Sequence, residues 1–243
     1  MKKIYHLLFL TVIIAACDTK PEVNNITNKA IATAGGELFE NIEIQFEFRD
    51  REYGYKKSNG QFEYVRLFDD SAQVIRDVLT NTGFIREIDG VTTEVPDSMA
   101  VKYSNSINSV IYFALLPYGL NDAAVNKEYL NSVAVKDKEY HKIKVTFNQN
   151  GGGVDYQDVF IYWIDTETYE VDYLAYSYET EGGGIRFREA YNERVVNGIR
   201  MVDYINYKPK NDLILENIDE AFEKGELQEV SRIESKNIKV NTP

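Results

Sequence analysis

Valine, isoleucine and tyrosine dominate two runs in the middle of the chain, Val159 to Ile164 and Tyr169 to Tyr178, and the polar turn Asp165-Thr166-Glu167-Thr168 divides them. That pattern predicts a β-hairpin. After a loop from Glu179 to Gly184, the runs Ile185 to Val195 and Ile199 to Tyr207 flank Asn197-Gly198. Asn-Gly supplies the positive φ angles of a two-residue hairpin turn, so the four strands form an antiparallel meander. Val159, Ile161 and Trp163 alternate with Phe160, Tyr162 and Ile164, and Val171, Tyr173 and Ala175 alternate with Leu174, Tyr176 and Tyr178. Successive side chains point to opposite faces of a strand, so both faces of this meander are apolar or aromatic and both need cover.

Elsewhere the pattern is less even. Ile42, Ile44, Phe46 and Phe48 alternate with polar residues as in a half-buried strand, and the aromatic parity changes near Asp50, as a bulge or bend would change it. Asn59-Gly60 turns the chain into a strand with Phe62, Tyr64, Arg66 and Phe68 on one face, Ser71 to Leu79 has no clear period, and Asp89-Gly90 marks a short hairpin. Met99, Tyr103, Ile107, Val110, Ile111 and Ala114 recur at helical spacing behind a cap at Asp97 or Ser98. This helix runs toward Tyr118, Pro117 limits it, and from Phe113 it is apolar all round, which buries its end across a sheet face. Glu128 to Val135 and Tyr140 to Phe147 form a hairpin about Lys136-Asp137-Lys138. A helical turn spans Ala30 to Phe39, a second helix covers Leu213 to Phe222, and Leu227 to Val240 reads as a closing strand.

The N-terminus changes the picture. Lys2 and Lys3, an apolar run from Leu7 to Ile14 and two small residues before Cys17 have the layout of a secretory signal peptide over residues 1–16. The run is too short for the ~20 residues of a bilayer span. Ile14-Ala15-Ala16-Cys17 resembles a bacterial lipobox, so Cys17 is the lipidation site and the anchor to the membrane. The chain has no second cysteine and hence no internal disulfide. Residues 17–29 read as the lipidated cysteine and a flexible tether, and residues 30–243 as a single domain. A net charge of -12 disfavours nucleic acid and anionic lipid as partners, which leaves the anchoring to the acyl chains. The expected location is the cell envelope, on the outer membrane, at its periplasmic face or the cell surface.

Candidate chemistry is sparse. Past the signal peptide the chain holds one histidine, His141, read as an exposed or edge imidazole, and it has no nucleophile elbow, P-loop or dinucleotide fingerprint. Asp165 and Glu167 are the nearest acid pair but sit in a turn, where aspartate bonds its own backbone. Asn148, Asn150, Asp155 and Asp158 offer oxygen ligands without the EF-hand spacing. No catalytic residue, metal or cofactor is assigned. Arg186 and Arg188 share one face of a strand and Phe187 takes the other; such a pair of cations can grip a carboxylate or phosphate, or pair with nearby glutamates.

The lipobox, the hairpin Trp163-Ile164-Asp165-Thr166-Glu167-Thr168-Tyr169, the Asn197-Gly198 turn and the buried central helix resemble a group of bacterial envelope lipoproteins. Their fold looks like that of the lipoprotein-carrier and outer-membrane lipoprotein-receptor (LolA/LolB-like) superfamily, and the likeness spans roughly Glu37 to Val240. The resemblance implies a mainly β (α+β) fold, a strongly curved antiparallel half-barrel of about ten strands covered by a few helices. It also implies an apolar cavity for an acyl chain, lipid or lipoprotein between sheet and helices. The family's carriers are soluble, whereas Cys17 makes this chain resemble a receptor or resident binder. Tyr112, Phe113, Leu116, Trp163, Tyr176 and Phe187 are the expected lining, with Arg186 and Arg188 as head-group contacts. The expectation is a binding protein and not an enzyme; the alternatives are a protein-protein interaction module with a solid core and a carboxylate-based hydrolase.

Overall fold

The structure, a computed structural model, describes residues 22–242. The expected signal peptide and the expected lipidation site Cys17 lie outside the described residues.

The first half of the fold is a ladder of tight hairpins: β1 (Ile42–Phe48), β2 (Arg51–Ser58), β3 (Gln61–Asp70), β4 (Gln73–Thr80), β5 (Gly83–Ile88) and β6 (Val91–Thr93). Each strand pairs antiparallel with the next. The parity change near Asp50 is a two-residue turn and not a bulge within one strand. Arg49 and Asp50 both take positive φ, 49° and 58°, and Phe48 pairs with Arg51. Arg-Asp carries no Asn-Gly signal, so the turn is invisible in composition. Ser71 to Leu79 holds most of β4, and its period is hidden because Asp77 occupies a fully buried inward position and pairs with Arg66 and Arg86.

The second half holds β7 (Val125–Val135), β8 (Lys138–Phe147), β9 (Val159–Asp165), β10 (Val171–Tyr178), β11 (Gly184–Val196), β12 (Ile199–Pro209) and β13 (Leu227–Ile233). The predicted meander is β9 to β12, with Val196 opposite Ile199 across Asn197-Gly198. The expected closing strand is divided at Glu234-Ser235: β13 pairs with β12, while β14 (Lys236–Asn241) crosses to pair with β1. Among the described residues the fold is therefore mainly β and antiparallel, with three α-helices, as the sequence implied, but with fourteen strands in two seven-stranded sheets and no closed barrel. At the junction of the sheets Arg194 donates to the Ser235 carbonyl and Asn197 Nδ2 to the Val240 carbonyl, at 2.6 and 2.7 Å.

Helix α1 (Val23–Ala34) corrects the reading of residues 23–29 as tether. Ile26, Ala30 and Ala34 recur every fourth residue, a narrow stripe of small side chains, and are buried. Helix α2 (Asp97–Ala114) is preceded by Pro96 and not capped by the Asp97 or Ser98 side chain. It presents two flanks. Ile107, Ile111 and Leu115 pack with Ile44, Phe46, Tyr53 and Tyr55 of the first sheet. Tyr112, Phe113 and Leu116 pack with Phe160, Tyr162 and Leu174 of the second. Helix α3 (Ile218–Glu223), shorter than the predicted Leu213 to Phe222 because a 3-10 turn at Leu215–Asn217 precedes it, covers the opposite face of the second sheet. The meander is thus covered on both faces, as its two apolar parities required.

Candidate ligand-binding site

Parity along β9 to β12 assigns every meander side chain to one of two environments. Tyr162 lies opposite Leu174, Tyr176 opposite Phe160 and Arg186, and Ala190 opposite Tyr204, so these residues share the face toward α2. Trp163 lies opposite Tyr173, and Ala175 opposite Ile161 and Phe187, so these share the face toward α3. Trp163 and Phe187 are fully buried there, 5.6 Å apart between ring centroids, with the Phe222 ring tilted against Phe187 at 4.7 Å. The Trp163 indole N–H donates to Asp219 Oδ2, which also pairs with Lys142 Nζ at 2.8 Å. That buried network fastens α3. Trp163 and Phe187 therefore belong to a sealed core and do not meet the other predicted lining residues.

On the α2 face the aromatic side chains form one connected group. Phe113 contacts Phe160 and Tyr176, with ring centroids 6.0 and 5.3 Å away, and Phe160 stacks on Tyr162 and Tyr176. Tyr112 and Tyr162 share a 2.9 Å hydrogen bond between hydroxyls. Burial pushes the Tyr112 hydroxyl up to about 12 and the Tyr162 hydroxyl well above its ordinary value, so both stay neutral. Leu116 is buried against the same cluster. Tyr112 and Phe113 of α2, with Leu116 just past its end, close the inner end of the space between helix and sheet.

Beyond them the space opens. A cleft of ≈ 530 Å³ lies between the β1 end (Phe46, Phe48, Arg49), one side of α2 (Ser109, Val110, Phe113, Ala114) and the second sheet, where Tyr176, Arg188, Val202, Tyr204, Ile233 and Ser235 line it. Of the predicted site residues, Phe113, Tyr176 and Arg188 line this cleft; Tyr112 and Leu116 pack behind it. Arg186 shares the face but lies nearer the strand end, its guanidinium 5.2 Å from the Tyr178 ring centroid. Sequence reasoning missed the β1 and β13 contributions, because the β13 to β14 crossing that brings those strands beside the meander leaves no periodic signal.

Arg188 is the unusual group. It is only 7% exposed, and its guanidinium lies 3.8 Å from the Phe113 ring centroid and 5.2 Å from that of Tyr176. One Nη donates to the Tyr176 hydroxyl at 3.0 Å. Its Nε is buried without an acceptor, and among the described residues no carboxylate pairs with it. The other buried arginines differ: Arg66 pairs with Asp77, and Arg200 with Glu193.

The remaining candidates lie elsewhere. Asp165 Oδ1 accepts the backbone N–H groups of Glu167 and Thr168 at 2.8 and 3.0 Å, which is the turn chemistry expected of it. His141 is neither fully exposed nor on an edge strand: β8 lies between β7 and β9, and the imidazole packs between Tyr129 and Tyr169 with a buried Nδ1. Among the described residues no cluster of three potential metal ligands forms, Asp155 and Asp158 included. A second depression, ≈ 380 Å³, is lined by Glu43, Glu47, Glu63, Lys56 and Arg76 among others, the mixed charges of a solvated sheet face.

Several solved structures are similar to this chain. A LolA superfamily protein from Nitrosomonas europaea matches at 12% identity and a TM-score of 0.48, covering 90% of this chain and 94% of that one. A domain described as an outer membrane lipoprotein-sorting protein, from Vibrio parahaemolyticus, matches at 7% identity and a TM-score of 0.45, covering 90% and 92%. The lipoprotein LppX of Mycobacterium tuberculosis matches at 8% identity and a TM-score of 0.30, covering 66% and 89%. Among curated proteins none matches. The model of a family of unknown function, DUF6503, matches residues 2–235, and the chain belongs to that family.

Proposed function

We propose that this protein is a lipid-anchored binder of the cell envelope that takes an acyl chain into the cleft between α2 and the second sheet. The observation that carries the reading is the cleft itself. Its ≈ 530 Å³ falls in the range of small-molecule sites, and rings of Phe46, Phe113, Tyr176 and Tyr204 line it. Each methylene buried there gains about 0.8 kcal/mol, so ten gain about 8 kcal/mol. Lost freedom on association removes about 4 kcal/mol or more of that, so a ten-methylene chain binds in the millimolar range and about fifteen buried methylenes are needed for micromolar affinity. Anchoring is assigned to Cys17, on the strength of the Ala15-Ala16-Cys17 junction.

The cleft favours a binder over an interaction module, since a solid core would leave no such space. It also disfavours a carboxylate hydrolase, because no Asp or Glu is among its lining residues and Asp165 is engaged in its own turn. The test is native mass spectrometry of the full chain purified from cells, with displacement of a fluorescent fatty acid. Retained lipid and displacement in the parent, both lost in Val110→Trp at unchanged melting temperature, are the expected results. A ligand-free parent that fails to bind the probe would overturn the reading.

A further inference from the structure

We infer that Arg188 is the specificity determinant of the cleft and that it selects acyl ligands whose head group carries an anionic oxygen, a carboxylate or a phosphate monoester. The inference rests on the acyl-binding reading above and adds the chemistry of the head group.

Two independent observations carry it. The first is the state of Arg188. A guanidinium that is 93% buried, with an unpartnered Nε and no ion pair among the described residues, is costly to keep out of water. Contacts with Phe113 and Tyr176 offset part of that cost through their ring faces, and they fix the planar group in one orientation at the cleft wall. Asn206, directly across the ladder from Arg188, also has a buried Oδ1 without a partner, but a neutral amide is a weaker acceptor than an anionic oxygen. The second observation is the charge of the lining. The chain has 39 acidic and 27 basic side chains, yet the cleft is lined by Arg188 and Arg49 and by no carboxylate. Any acid close to Arg188 would neutralise it within the fold, and none is found among the lining residues.

An anionic oxygen in the cleft beside the guanidinium compensates the charge that the fold leaves unpaired. The acyl chain then runs along Phe113, Val110 and Phe46, with Arg49 near the opening. A charge-assisted hydrogen bond of this kind distinguishes an anion from its neutral analogue by about tenfold or more.

The experiment compares three ligands of equal chain length, palmitate, hexadecyl phosphate and hexadecanol, as competitors of a fluorescent fatty acid on the purified full chain, with inorganic phosphate as a fourth arm. The parent is expected to bind both anions at least about tenfold more tightly than the alcohol. Arg188→Met keeps an unbranched apolar stem and removes the charge, and should equalise the three; Arg188→Lys should restore part of the preference. Equal affinities in the parent, or a preference that survives in Arg188→Met, overturn the head-group inference and leave acyl binding intact. Failure of all three to compete overturns both readings. Competition by inorganic phosphate as strong as by hexadecyl phosphate assigns the site to a free anion and overturns the lipid source. Melting temperatures of the variants within a few degrees of the parent establish that the change is local.

Discussion

Replacing Asp77 with alanine should be among the most damaging single changes available in the first sheet. The carboxylate is fully buried on β4. Its Oδ2 accepts from Arg66 Nε and Nη2 at 3.1 and 2.6 Å and from Arg86 Nη2 at 2.9 Å, and its Oδ1 accepts from Arg86 Nε at 2.6 Å. The bond to Asp77 is also what holds the Arg86 pKa above its ordinary value. Both arginines reach α2: Arg66 Nη1 donates to Ser106 Oγ at 2.9 Å, and the Arg86 guanidinium lies 3.8 Å from the Tyr103 ring centroid. One carboxylate therefore bridges the two guanidinium groups of the clasp between α2 and the first sheet and offsets one of their two charges.

Asp77→Ala leaves two like charges together in a buried site, a class of change that costs about 3–5 kcal/mol. For a domain of this size each kcal/mol lowers the melting temperature by about 2–4 °C, so a fall of roughly 6–20 °C is expected. Because the clasp sets where α2 sits over the cleft, fatty-acid affinity should fall with it at temperatures where the variant is still folded. The control is the triple variant Asp77→Leu, Arg66→Met, Arg86→Met, which removes all three charges and should melt near or above the parent. Circular dichroism melts of the three proteins decide the matter. A loss below about 1 kcal/mol in Asp77→Ala, or equal losses in the single and triple variants, would refute the view that the carboxylate acts by bridging the two like charges.

Three further outcomes are expected. Cys17→Ala should move the protein out of the membrane fraction after detergent partitioning; a variant that stays there as fully as the parent would dissociate anchoring from this cysteine. Burial, with Asp155 and Glu179 nearby, raises Asp158 from 3.8 to about 6, so the native state holds its proton where the unfolded chain has lost it, and stability falls as pH rises between those values. Asp158→Asn should thus stabilise the fold at pH 7, by about 1 kcal/mol or less given the group's solvent exposure, and the gain should vanish near pH 4 in denaturant titrations. Burial and Lys29 lower the His141 pKa, which gives the opposite sign: below pH 6.5 the unfolded chain takes up the proton first and stability falls as pH falls. His141→Ala should remove that slope while changing stability at pH 8 by about 1 kcal/mol, and an unchanged slope in acid denaturation curves would assign it to other groups.

The meander and the Asn-Gly and Asp-Gly hairpins were legible because alternation and turn chemistry are local. What could not be read was set by charge and by long-range pairing. Asp77 and Arg66 break the apolar alternation of β3 and β4 because an ion pair replaces hydrocarbon on the inner face. Arg49-Asp50 and Lys136-Asp137 adopt positive φ without glycine or asparagine, so the first of these turns looked like a bulge. The buried residues of helix α1 are Ile26, Thr27, Ala30 and Ala34, too little hydrocarbon to stand out from a polar tether. The crossing at Glu234-Ser235 is fixed by its partners, Arg194 and Asp203, about thirty to forty residues away in the chain, and no local signal encodes it.

The candidate site shows the same division, and here parity could have gone further. Arg188 and Phe187 are adjacent, so they cannot line one cavity, and the pairing of Tyr176 with Arg186 and of Ala175 with Phe187 assigns each to its side. Parity does not say which side is sealed. That is decided by what the covering helices bring. The turn and helix at Leu215–Glu223 offer Asp219 to Lys142 and Trp163, and the Glu216 carbonyl to Lys142, so the polar atoms buried on the outer face are matched within the fold. Helix α2 brings the phenyl ring of Phe113 to Arg188 and nothing that accepts its Nε proton. A sheet that buries lysine with its aspartate on one face and leaves arginine without a carboxylate on the other has one face completed by its own chain. On the other face, the unmatched guanidinium charge is where a ligand's anionic oxygen would add the most.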